Sequence, residues 1–147
     1  VHLEGREPGE VFDLHGLSQV LWPVHCVQGT PGSDFVGALE IERVDAIFPK
    51  GTDPEVDSYS GFYDNGHRKA TGLGEWLRER GVDAVYVLGV ATDYCVKFTA
   101  LDAIADGFET YLVEDGVRGV NLRPGDSEAA IEEMRRAGAH VVSARDV

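Results

Sequence analysis

Ala84-Val85-Tyr86-Val87-Leu88-Gly89-Val90-Ala91-Thr92-Asp93-Tyr94-Cys95-Val96 is the stretch that decides the architecture of this chain. Its first seven residues are almost wholly apolar, the pattern of a strand buried on both faces. Asp93 then suits a helix N-cap. A helix from about Tyr94 to Asp106 puts Val96, Ala100, Ala103 and Ile104 on one face, and Gly107 stops it. Working outward, a helix over Gly72–Arg80 ends at Gly81, and strand Glu109–Glu114 follows the central helix. Helix Ser127–Ala137 carries Ala130, Ile131 and Met134 on one side and stops at Gly138, before a last strand over His140–Ser143. Upstream, Val44–Phe48 reads as a strand closed by Pro49. This alternation predicts an α/β fold with a mostly parallel, doubly wound sheet and helices on its faces. Residues 1–37, broken by Gly5, Pro8, Gly16, Pro23 and Gly32 among others, read as irregular, as does the polar loop Lys50–Thr71 with Tyr59, Phe62 and Tyr63.

Composition limits the function classes. The 147 residues are 43% hydrophobic and 27% charged, a globular balance expected to form a single domain over 1–147. Thirteen Lys and Arg stand against 26 Asp and Glu, a net charge of −13 that argues against nucleic-acid binding. No apolar run reaches the roughly 18 residues a membrane span needs, so no membrane partner is expected. Cys26 and Cys95 are too few for a disulfide framework, which points to a reducing, cytoplasmic setting. A homo-oligomer is left open.

Ligands of doubly wound sheets gather outside the carboxyl ends of the strands, so the residues after Val90 matter most. Cys95, in the first turn of the expected helix, has two readings. It is a nucleophile whose thiolate and neighbouring oxyanion are favoured by free backbone N–H groups, or it is a small buried residue. Asp93 counts against the first, because a carboxylate opposes a nearby thiolate. Lys50, just past Val44–Phe48, either steadies negative charge or is a solvated loop lysine. His25, beside Cys26, is a candidate metal ligand or a loop histidine bonded to backbone; one histidine makes no site. His2, His15, His67 and His140 have no chemical neighbours in sequence and read as structural.

Four segments together resemble the isochorismatase-like cysteine hydrolases, and within that family the nicotinamidase branch. They are Leu21-Trp22-Pro23-Val24-His25-Cys26-Val27-Gln28-Gly29-Thr30-Pro31-Gly32, Lys50-Gly51-Thr52-Asp53, Asp57-Ser58-Tyr59-Ser60-Gly61-Phe62 and Gly89-Val90-Ala91-Thr92-Asp93-Tyr94-Cys95-Val96. The resemblance implies a three-layer α/β/α fold. It makes Cys95 the nucleophile and Lys50 the lysine of an Asp-Lys-Cys triad. Ala91 would follow a non-proline cis bond and aim its N–H, with that of Cys95, at the oxyanion. Trp22 and Tyr59 would flank a pyridine ring, and His25 would be one ligand of a divalent metal ion, zinc first, with iron or manganese as alternatives. The implied substrate is the small molecule nicotinamide, hydrolysed to nicotinate and ammonia through a thioester on Cys95. The metal would hold the pyridine nitrogen.

The same resemblance brings a departure. The family's N-terminal Asp-x-Gln-x-Asp-Phe type motif and its Asp-x-His metal pair do not occur in these 147 residues. The chain opens on Val1, and Met134 is its one methionine. The expectation is therefore a domain that lacks its N-terminal strands, with the remaining metal ligands and the catalytic aspartate supplied by the absent segment. Two alternatives stand beside it: a non-catalytic remnant that binds a pyridine or a partner chain, and an amidase of the same fold acting on another small amide.

Overall fold

A computed structural model describes residues 7–147. His2 and Gly5 lie outside the described residues. The chain forms two compact units, Val1–Ile47 and Phe48–Val147.

The first unit corrects the expectation of an irregular segment over 1–37. Strand β1 (Val11–Leu14) pairs antiparallel with β2 (Leu17–Val20), Leu14 opposite Leu17, and the pairing continues as Leu21 N–H bonds the Glu10 carbonyl. The two-residue turn is His15-Gly16, with φ of 53° and 82°. Positive φ at both centres is the twist that a tight hairpin requires. Asp13 Oδ1 accepts the Gly16 N–H at 3.1 Å and closes the turn. Histidine is an uncommon first residue for such a turn, which hides the hairpin in the sequence. Beyond Val20 the unit has two short 3-10 turns, Pro31–Ser33 and Ile41–Arg43.

The strand expected over Val44–Phe48 does not form. Val44 closes the second 3-10 turn by bonding the Ile41 carbonyl, and Val44 and Ile47 are exposed. An apolar run becomes a strand only when a neighbour satisfies its backbone, and none among the described residues does.

The second unit carries the alternation read from the sequence. Its elements are α1 (Leu73–Glu79), β3 (Ala84–Val90), α2 (Lys97–Ala105), β4 (Glu109–Arg118), α3 (Asp126–Ala137) and β5 (His140–Val142). The strands form a parallel sheet in the order β3-β4-β5. The α/β class and the parallel sheet therefore stand. Val85 and Val87 join the cluster in which Val96, Ala100 of α2 and Met134 of α3 pack with Leu112 and Val117. Helix α1 adds Leu73 and Leu77 to a second cluster with Phe62, Ala103 and Phe108, which also meets Val85. Phe48 turns inward and meets the Trp76 ring edge-on at 5.6 Å.

Burial of β3 on both faces does not hold. Its alternate residues Tyr86, Leu88 and Val90 are 47%, 60% and 72% exposed, because strand residues alternate sides and the helices of this unit gather on the other one. Across that outer face Tyr86 stacks on Tyr111 at 4.7 Å, and Tyr111 meets the His140 ring at 4.9 Å, following the register of the three strands.

The loop between Lys50 and Thr71 is held by its own polar groups. The Asp64 carboxylate accepts N–H bonds from Gly66, Arg68 and Lys69, each at 2.9 Å. Tyr63 donates its hydroxyl to Asp106 at 3.0 Å, which ties the loop to the end of α2. That bond to the carboxylate, more than burial, pushes the Tyr63 phenol above its ordinary range. Helix α1 comes close to the same corner: a Cβ on Gly74 would lie 2.9 Å from Asp106 Oδ2.

Candidate active site

The carboxyl end of β3 is built as the loop-and-turn geometry of a reactive centre. The Val90–Ala91 peptide is cis. Past it the chain does not enter an α-helix directly but makes a π-turn over Thr92–Val96, in which the Val96 N–H reaches back to the Ala91 carbonyl at 3.0 Å. Single π-turns of this kind insert one residue and re-aim the side chains around them. Cys95 sits in this turn, half-buried, and Lys97 opens α2 behind it.

Asp93 is not the N-cap that the sequence suggests. Its buried carboxylate accepts the N–H groups of Val120 and Asn121, at 2.9 and 2.7 Å, and so pins the π-turn to the chain after β4. Both oxygens are thus engaged by backbone amides of the chain after β4. Asn121, at φ 53°, passes the link on: its side-chain oxygen accepts the Ser127 N–H at the start of α3.

Lys50 and Cys95 come together. Lys50 Nζ donates to the Ser58 carbonyl at 2.8 Å and lies 3.4 Å from Cys95 Sγ. A fixed ammonium at that distance stabilises negative charge on sulfur. Among the described residues no carboxylate is bonded to Lys50. Ser58 was not singled out from sequence, since a carbonyl acceptor leaves no trace in residue type.

Tyr59 is buried beside this pair. Its backbone N–H is held by Asn65 Oδ1 at 3.0 Å, and its ring meets Tyr94 at 5.3 Å and Phe98 at 5.4 Å. Tyr94 and Phe98 were missed by sequence reasoning, although both lie within one helical turn of Cys95. Burial, followed by the nearby Asp93 charge, pushes the Tyr94 phenol up, so it remains neutral at physiological pH.

Trp22 and His25 belong to the first unit. Trp22 is half-buried and His25 is exposed. His25 Nδ1 lies 2.6 Å from the Pro23 carbonyl. A carbonyl only accepts, so Nδ1 carries the proton and Nε2 the lone pair of the neutral ring, the arrangement of a metal-ligating histidine. However, among the described residues no three His, Cys, Asp or Glu side chains gather as a metal ion requires. These residues by themselves do not fit the metal site that the resemblance implies.

Comparison with known proteins gives a consistent result. The Isochorismatase domain family matches residues 11–146. The nicotinamidase of Escherichia coli is 47% identical over 142 residues, covering 97% of this chain and 67% of that protein. The solved nicotinamidase/pyrazinamidase of Acinetobacter baumannii is 43% identical with a TM-score of 0.92, covering 97% of this chain and 69% of that one. The pyrazinamidase of Pyrococcus horikoshii, solved in complex with zinc, is 47% identical with a TM-score of 0.71, over 83% of this chain and 63% of its own. The chain thus spans about two thirds of the length of these relatives. No helix among the described residues is long and apolar enough to cross a membrane.

Proposed function

The chain belongs to the isochorismatase-domain family, and on that premise we propose that it is a nicotinamidase, a hydrolase of the linear amide of nicotinamide. The observation that carries the reading is the Lys50 Nζ to Cys95 Sγ contact at the carboxyl end of β3. A thiolate beside a fixed ammonium is an activated nucleophile. In the proposed reaction Cys95 Sγ attacks the amide carbon and a C–S bond forms. The C–N bond then breaks, and nitrogen takes up the proton that the Cys95 thiol gave up and leaves as ammonia. Water attacks the thioester and releases nicotinate, returning the thiol.

The backbone supplies the electrophilic side. The Ala91 N–H stands at the end of β3, in the residue that follows the cis peptide. With the N–H of Cys95 it is our candidate for holding the oxyanion that forms on the attacked carbonyl. We assign Tyr59 and Trp22 to the aromatic surfaces that a pyridine ring would stack on, the buried Tyr59–Tyr94–Phe98 cluster supporting the first. His25, with its Nδ1 proton given to Pro23, is assigned as one ligand of a divalent ion, zinc in the first instance. Such an ion would supply Lewis acidity. The family membership and the two free cysteines favour a place in the cytoplasm.

Ammonia release tests the substrate class. Nicotinamide and pyrazinamide should be turned over well, and a carbamoyl compound without an aromatic ring poorly. Equal turnover of the aromatic amides and the carbamoyl compound would contradict the assignment of Tyr59 and Trp22.

A further inference from the structure

We infer that Thr99 is a positioning residue for the Cys95–Lys50 pair, acting through its hydroxyl group. Thr99 stands on α2 four residues after Cys95, and its Oγ1 donates to the Cys95 carbonyl at 2.6 Å. The same oxygen accepts the Gly61 N–H at 2.9 Å, from a residue 38 positions away. Gly61 lies three residues beyond Ser58, whose carbonyl holds the Lys50 ammonium. One hydroxyl therefore joins the turn that carries the nucleophile to the loop that fixes its cation. The connections close a ring: Cys95 Sγ to Lys50 Nζ, Lys50 to Ser58, and Gly61 through Thr99 back to the Cys95 carbonyl.

The chemistry of the residue matters more than its shape. A threonine hydroxyl has one proton to give and lone pairs to accept with, and both functions are used here. Serine could do the same. Valine, with the same outline, could do neither and would leave the half-buried Gly61 N–H without an acceptor. Back-bonding from threonine to the carbonyl four residues earlier also bends the helix start, and here that carbonyl belongs to the π-turn. The Gly61 side of the link is held independently, because Thr71 Oγ1 donates to the Gly61 carbonyl at 2.6 Å. Neither of the Thr99 hydroxyl bonds is to the sulfur or the ammonium.

The inference rests on Cys95 being the nucleophile, yet its test needs no substrate. The rate at which iodoacetamide alkylates the protein near neutral pH is read on the Cys95 peptide by mass spectrometry, so that Cys26 does not interfere. Thr99→Val should slow Cys95 alkylation about tenfold while the protein stays folded by thermal melting, and Thr99→Ser should stay within about twofold of the parent. A valine variant as reactive as the parent, or a serine variant as slow as the valine one, overturns the proposal. Should Thr99→Val not fold, Thr99→Ala carries the same comparison with Thr99→Ser. Nicotinamide turnover is read separately: a parent that shows the alkylation pattern but hydrolyses no nicotinamide supports the role of Thr99 and contradicts the proposed substrate.

Discussion

Lys50 and Cys95 are 45 residues apart in sequence, and each is placed by backbone rather than by side-chain packing. Lys50 is held by the Ser58 carbonyl, and Cys95 by a π-turn anchored through Asp93. If the ammonium stabilises charge on sulfur as the reaction begins, Lys50→Met should lower kcat for nicotinamide by about 10²–10³ with a smaller effect on KM, as for loss of one charge-stabilising group. Steady-state kinetics on the two proteins checks this; an unchanged kcat would remove Lys50 from the mechanism. Residue type and position alone left Cys95 and Lys50 each with a structural reading beside the chemical one; the four resembling segments singled them out. The role of Asp93 was not legible in the same way. Its partners lie 27 and 28 residues downstream, and only the fold brings their amides to it.

At the level of elements, the segments that end on glycine, α2 at Gly107 and α3 at Gly138, were legible because their stop signals are local. The Val44–Phe48 strand was misread because strand formation depends on a distant partner, and the π-turn because one extra residue leaves no periodic mark. Two predictions belong to this scale. Gly119 stands where a Cβ would lie 1.7 Å from Ser127 Oγ. Gly119→Ala should destabilise the protein by about 1–3 kcal/mol in denaturant unfolding, with part recovered by adding Ser127→Ala. The second concerns the link from β4 to the residues after β5. The Ala144 N–H, and then the Ser143 hydroxyl, hold the Asp115 carboxyl below its usual range. The folded chain then binds this proton less readily than the unfolded one, so the stabilising effect is present at neutral pH. It is lost as pH falls below about 4, through the lowered folded value. Asp115→Asn should accordingly be less stable than the parent at pH 7, and the two should converge as the pH falls through this range in chemical-denaturation curves.

Over the whole chain, burial is unevenly distributed. Among residues 7–47 only Gln19 and Leu21 are buried, whereas Leu112 and Met134 in the second unit are wholly enclosed. Native-state hydrogen exchange should therefore protect β3, β4 and α2 most strongly and the β1–β2 hairpin least. Comparable protection in both units would contradict this ordering. The order of strands and helices in the second unit follows from patterns that span ten residues or so, which is why it was legible; the first unit offers few such patterns. The central claim joins all three scales: a parallel sheet delivers Cys95 on a π-turn to a fixed ammonium, and the sulfur forms a covalent intermediate. Rapid acid quenching of the protein with nicotinamide, followed by peptide mass spectrometry, tests it most directly. The account predicts a nicotinoyl group on the Cys95 peptide, absent in Cys95→Ala, which should also release no ammonia. Ammonia release that persists in Cys95→Ala, or an acyl group found on Cys26 instead, would contradict it.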